Sequence, residues 1–113
     1  MAQMIQYGRE MLRINPSNNT IEYTRDGRNW TRRYSSQYYG TFFDLCLVGS
    51  DIYAATQKGV IYSHDGGTNW TTKCTSSAYG TFQSLMLRGT EIWATTTKGT
   101  FASKDGGRNW TRK

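Results

Sequence analysis

Tryptophan stands at positions 30, 70 and 110, and the tetrapeptide YGTF at 39–42 returns at 79–82, so the chain repeats itself every 40 residues. Between these landmarks the match continues without gaps, GSDIYAATQKGVIYS at 49–63 lying over GTEIWATTTKGTFAS at 89–103. The first copy is more diverged, with Gly8, Glu10, Met11 and Leu12 beneath Gly49, Asp51, Ile52 and Tyr53. A unit this small cannot cover its own apolar faces and has to stack on its neighbours.

Within each unit the pattern is alternation, not helical spacing. In the second copy it predicts strand A at 42–48 (FFDLCLV), strand B at 51–56 (DIYAAT), strand C at 59–63 (GVIYS) and strand D at 69–74 (NWTTKC), with Gly, Asx and Lys-Gly turns between them. The single proline, Pro16, falls in the first copy's loop between B and C, where a missing donor does no harm. Four short antiparallel strands repeated at this interval are the signature of propeller blades. The expected fold is all-β, one half-propeller domain over 1–113 with blade one at 1–34, blade two at 41–74 and blade three at 81–113. Gly8 aligned on Gly49 puts residue 1 near the start of a strand A, and Lys113 aligned on Lys73 lies inside a strand D.

Three blades cannot close a ring, since propellers run to about four to eight. Two chains give six, so the expected assembly is a homodimer closing a six-bladed propeller, blade three of each chain packed on blade one of the other. The competing expectation is a piece of a longer propeller.

The turn between C and D is spelled SHDGGTNW at 63–70, SKDGGRNW at 103–110 and, more briefly, TRDGRNW at 24–30. An aspartate here can accept hydrogen bonds from backbone amides two and three positions on, glycine supplies the positive φ, and the tryptophan ring packs beneath. These segments resemble the Asp-box, or bacterial neuraminidase repeat (BNR), with the pattern S-x-D-x-G-x-T-W. Ser63, Asp65, Gly67 and Trp70 match it, as do Ser103, Asp105, Gly107 and Trp110, while Asn69 and Asn109 replace the usual threonine. In the first copy Thr24, Asp26 and Trp30 match, but one residue is missing between Asp26 and Trp30. The resemblance covers nearly the whole chain. It implies a sialidase-like propeller whose boxes staple strands C and D on the face opposite the ligand site, which gives Asp26, Asp65 and Asp105 a structural role and not a metal-binding or catalytic one.

The net charge is +6, with fourteen Lys and Arg against eight Asp and Glu. Arg25, Arg28, Arg32, Arg33, Lys73, Lys104, Arg108, Arg112 and Lys113 all lie in or just after the repeated turn, the place of edge-blocking cations, which argues against a nucleic-acid groove. Cys46 and Cys74 show no metal-ligand spacing with the single histidine, His64, so reduced structural thiols are expected, with no metal and no cofactor. His64 takes the free position of the turn, where the other copies have Arg25 and Lys104, and is expected to be exposed. Neither a signal peptide nor an apolar run of about 20 residues is visible, so the expectation is a soluble protein, cytoplasmic or part of a released particle. The N-W-T triplets at 29–31, 69–71 and 109–111 are formal glycosylation acceptors that the box creates by coincidence.

The sialidase chemistry implied by the resemblance needs a pair of carboxyl groups. Three of the eight acids are box aspartates, and Glu10, Asp51 and Glu91 recur at the turn after strand A, which leaves Glu22 and Asp44. LRINP at 12–16 resembles the sialidase F-R-I-P distantly, with Asn15 splitting it, so Arg13 reads as a strand residue and no catalytic residue is assigned. The loops from D to the next A and from B to C share the other, top face. They carry Tyr38, Tyr39 and Tyr79 to stack on sugar rings and Asp44, Gln57, Lys58, Thr97 and Lys98 to hydrogen bond, a lectin-like, carbohydrate-binding kit. Tyr39 and Tyr79 equally suit a wedge between blades. Tyr38, with Ala78 in the matching slot, is the better candidate for exposure. The expected function is glycan recognition on the top face. A self-assembling structural or adhesion module of a bacterial or phage surface, without a small ligand, is the rival, and a sialidase-like glycoside hydrolase is the third alternative.

Overall fold

The computed structural model of the protein describes residues 4–35 and 38–113. The expected start of blade one at residue 1, and positions 36–37 of the first D–A loop, lie outside the described residues. Three antiparallel four-stranded sheets follow one another along the chain, each in simple sequential order. Blade one comprises β1 (Met4–Tyr7), β2 (Glu10–Asn15), β3 (Thr20–Thr24) and β4 (Thr31–Ser35). Blade two comprises β5 (Phe42–Val48), β6 (Asp51–Thr56), β7 (Gly59–Ser63) and β8 (Thr71–Cys74), and blade three β9 (Phe82–Arg88), β10 (Glu91–Thr96), β11 (Gly99–Ser103) and β12 (Thr111–Arg112). A 3₁₀ turn, Ser77–Tyr79, sits between blades two and three. β1 packs beside β5 and β5 beside β9, so the first strand of each blade lies innermost.

The apolar residues are shared between blades and not kept within them. One core joins Leu12, Ile14 and Ile21 of blade one to Leu45, Ile52, Ala54 and Ile61 of blade two. The other joins Cys46, Tyr53, Ala55 and Val60 of blade two to Leu85, Ile92, Ala94 and Phe101 of blade three. Each blade thus has a rear face toward the preceding blade and a front face toward the following one, made by alternate residues of the same strands. In β6 of the middle blade every residue from Ile52 to Thr56 is buried, whereas β10 buries Ile92 and Ala94 at the rear but leaves Trp93 and Thr95 at the front partly or fully open. Position in the stack, and not strand propensity, decides that difference. Both cysteines are free and lie in the second core. Burial, then the nearby Asp44 charge, pushes the Cys46 thiol up to about 11.

Strand D begins at Thr71, two residues later than expected, because Asn69 and Trp70 belong to the turn. Asp65 Oδ1 accepts the backbone N–H of Thr68 at 3.2 Å and of Asn69 at 2.9 Å, and Oδ2 accepts the Asn69 side-chain amide at 2.7 Å. The bonds run three and four residues ahead, one further than the sequence suggested. Ser63 Oγ donates to Asp65 Oδ1 at 2.7 Å and accepts the Gly67 amide at 2.9 Å, while the Trp70 indole donates to Gly67 O at 2.9 Å. Ser103, Asp105, Gly107, Asn109 and Trp110 repeat the arrangement. In the shortened first turn Asp26 keeps its amide bonds, now to Arg28 and Asn29 at two and three residues ahead. Trp30 does not tuck in: it is half-buried, with the Arg13 guanidinium 4.0 Å from its ring centroid. The turn's variable residue pairs with the acid of the hairpin between A and B in every blade, Arg25 with Glu10 at 3.1 Å, His64 with Asp51 at 2.7 Å and Lys104 with Glu91 at 3.9 Å. His64 is exposed, as expected, but has a partner.

The backbone amide of Asn69, above all, holds the Asp65 carboxyl down to about 2, and the amides of Asn29 and Asn109 lower Asp26 and Asp105 in the same way. A depressed carboxyl contributes stability that is complete above its unfolded value near 4 and is lost as pH falls through its folded value. Denaturation midpoints are therefore expected to be flat from pH 7 to about 4 and to fall between about 4 and 2, with a shallower fall in Asp65→Asn.

Candidate functional site

The A–B hairpins and the C–D turns share one end of the blades, as the three acid–base pairs across them require. The B–C loops meet the D–A loops at the other end: Gln57 N donates to Thr41 O at 2.9 Å, and Thr97 N donates to Thr81 O at 3.1 Å. This top end holds the residues singled out for recognition, and the fold uses them unequally.

Asp44 is withdrawn from the recognition surface. It is 0% exposed on β5, with Oδ1 accepting the Leu45 amide at 3.0 Å and Oδ2 accepting the Leu85 amide of the next blade at 2.8 Å. A carboxylate taken out of water has to be met by donors, and here the inner edges of two strands supply them. Tyr39 is withdrawn as well: only 7% exposed, it donates its hydroxyl to Trp70 O at 2.9 Å, and burial raises its pKa. Tyr79, half-buried, repeats that wedge one blade on, with its ring 5.3 Å from Phe101 and its oxygen accepting the Trp110 amide at 3.4 Å.

Gln57 and Thr97 are exposed but engaged in shaping the loops. Gln57 Oε1 accepts the Thr41 amide at 3.4 Å, and Thr97 Oγ1 accepts the Thr81 amide at 2.9 Å. Their close approach explains the glycine of YGTF: a Cβ on Gly40 would lie 2.6 Å from Gln57 Oε1, and one on Gly80 2.5 Å from Thr97 Oγ1, at φ of +73° and +86°. Lys98 is exposed, and its carbonyl accepts a bond from Arg112. Tyr38 is 66% exposed and carries the Lys58 ammonium 5.2 Å from its ring centroid. Beside them a cleft of about 430 Å³ runs between the loops, lined by Gln57, Lys58, Gly59, Thr75, Ser76, Gly80 and Thr81.

A larger opening, about 640 Å³, lies at the top where the innermost strands begin, lined by Pro16, Thr41, Phe42, Phe43, Thr81, Gln83, Ser84 and Thr95. Pro16 reaches it because the longer B–C loop of blade one leans on blade two, Asn19 accepting the Phe42 amide at 2.9 Å and donating to Gly40 O at 2.8 Å. The sequence reading missed this mouth. Its signal was the residue after YGTF: Phe42 and Phe82 are buried in the cores, while Phe43 and Gln83 sit at the register shift that follows and line the opening, Phe43 also packing against the second core.

The two acids left over for hydrolase chemistry are both committed. Glu22 receives Arg13 Nε at 2.9 Å and Asn15 at 3.2 Å, bonds that outweigh burial and lower its pKa, and Asp44 is the buried link just described. Among the described residues no three His, Cys, Asp or Glu groups converge as a metal site, and no helix is long and apolar enough to cross a membrane.

No family model and no curated protein matches the chain. Solved structures do. A structure of YCF48 bound to D1 peptide superposes with a TM-score of 0.74 at 20% identity, covering 97% of this chain and 40% of that one. YCF48 from Cyanidioschyzon merolae gives 0.70 at 19% identity, covering 97% and 37%. YCF48 is a β-propeller protein, and the likeness shows that fold for this chain. The chain spans 40% and 37% of the length of these two structures.

Proposed function

We propose that this protein is a binding half-propeller, completed to six blades by a second copy, whose top mouth takes an extended segment of another protein. The observation that carries the reading is the composition of the mouth: phenylalanine and proline surfaces set among Thr41, Thr81, Gln83 and Ser84, an apolar opening with a few placed hydroxyl and amide groups. Such a lining suits a peptide, whose side chains fill apolar ground while its backbone meets the polar groups. The peptide-bound propeller among the structural neighbours supports the choice of ligand class. The turns at the opposite end are read as Asp-boxes on the residues that match, with a stapling role. Panning a displayed random-peptide library against the protein is expected to enrich a family of sequences, and Phe43→Ala should weaken the best of them by about tenfold, the worth of one buried aromatic contact. Loss of nothing on Phe43→Ala would remove the mouth from the account.

Tyr38 favours a second reading. An exposed ring with Lys58 beside it and a cleft of hydroxyl and amide groups alongside is equipment for a sugar. A glycan array settles it: hits that disappear with Tyr38→Ala and Lys58→Ala, but persist with Phe43→Ala, place glycan recognition on the loops.

A further inference from the structure

Resting on the reading of the chain as half a ring, we propose that the front face of blade three and the rear face of blade one are two halves of one interface, each occupied by the other from a second copy of this chain. The mouths of the two copies then open on one central space.

The chain contains two worked examples of such an interface. At both internal seams the front face receives the glycine turn of the next blade's box. Leu12 lies 3.0 Å from where a Cβ on Gly67 would be, and Arg33 donates to Gly66 O at 2.9 Å. One blade on, the Tyr53 ring lies 3.3 Å from the same point on Gly107, and its hydroxyl donates to Gly106 O at 2.7 Å. Along the inner strands, Ile5 packs in the core with Leu45, and Cys46 in the core with Leu85.

Blade three carries the same equipment. The repeat puts Met86 in the slot of Ile5 and Cys46, Trp93 in that of Leu12 and Tyr53, and Lys113 in that of Arg33 and Lys73. Lys113 lies 5.6 Å from the Trp93 ring, as Lys73 lies 5.8 Å from the Tyr53 ring. A hollow of about 290 Å³ opens on this face, lined in part by Met86, Trp93, Thr95 and Thr100. Blade one presents the complement. Met4 takes the slot of Leu45 and Leu85, and a Cβ on Gly27 of its box would meet nothing within 4 Å. Met4 is 47% and Met86 53% exposed, and their counterparts share a core at both internal seams. The front of blade three thus continues a surface that seats the next blade twice within the same chain.

The outer seam also differs from the inner ones in a consistent way. On the rear of blade one Arg13 replaces Ala54 and Ala94, and Glu22 replaces Ile61 and Phe101, the two pairing at 2.9 Å. On the front of blade three Thr95 and Thr100 replace Ala55 and Val60. Covering an ion pair costs desolvation that its Coulomb attraction recovers only in part. The outer seam is therefore weaker than the inner seams and allows the half-ring to persist in water.

Sedimentation equilibrium at micromolar concentrations is expected to show the mass of two chains, and Met86→Arg, on an exposed residue, to give one chain with an unchanged circular dichroism spectrum. Replacing the ion pair by the residues of the inner seams, Arg13→Ala with Glu22→Ile, should tighten the dimer by about tenfold. A mixture of Met4→Cys and Met86→Cys chains oxidised with diamide should join Met4→Cys chains to Met86→Cys chains, and Met86→Cys alone should not link to itself. A single chain at every concentration, a Met86→Cys self-link, or a double variant that loosens the dimer each overturns the proposal. Peptide capture is scored separately: a dimer that captures none removes the mouth reading and leaves the seam, and a monomer that captures one does the reverse.

Discussion

Asp44→Ala is expected to destabilise the protein by about 2–5 kcal/mol, because it leaves the Leu45 and Leu85 amides facing a buried space with no carboxylate to accept them. The carboxylate is 0% exposed and bridges the innermost strands of blades two and three, so its removal acts on the seam itself. Urea denaturation measures the loss as a lower midpoint at unchanged slope. Asp44→Asn, which keeps one oxygen acceptor, should lose less. Unchanged stability in both variants would mean that the two amides find another acceptor, and the link between blades would have to be sought elsewhere.

Phe82→Ala carries the other large effect, about 3–5 kcal/mol. Phe82 is 0% exposed at the start of β9, with the Trp110 ring 5.2 Å and the Tyr79 ring 6.2 Å from its own. Three aromatics from the strand, the C–D turn and the D–A loop meet there, so truncating one of them leaves a cavity lined by the other two. Phe42, 3% exposed, holds the same position one blade earlier with Trp70 at 6.4 Å. A loss under about 1 kcal/mol for Phe82→Ala, read from the same denaturation curves, would show that the seam can repack around the hole.

The strands were legible because alternation and glycine punctuation act locally. β5, β6 and β7 have the bounds that the second copy's pattern predicts. The start of β8 was not, since Asn69 and Trp70 look like strand residues until the Asp65 carboxylate claims the Asn69 amides. The site was legible only in part. Tyr38 stands apart in the sequence because Ala78 fills its slot, but Tyr39 and Tyr79 suit surface and wedge equally until the bonds of their hydroxyls to the Trp70 carbonyl and the Trp110 amide fix them between blades. Asp44 resembled a surface acid because nothing in one sequence reports a donor 41 positions away. The polar rear face of blade one, by contrast, was present in the alignment of copies: Arg13 and Glu22 stand where the other blades have Ala54, Ala94, Ile61 and Phe101. That both lie on the rear face follows only from the pairing register.

The proposed function puts binding at the top end of the blades and leaves the C–D turns to hold the strands. Nuclear magnetic resonance of the isotopically labelled protein, titrated with a selected peptide, tests it directly. The account predicts amide shifts concentrated at Thr41, Phe43, Thr81 and Gln83, with the turns at Asp26, Asp65 and Asp105 still. Shifts gathered at those three turns, with the mouth unmoved, would contradict it.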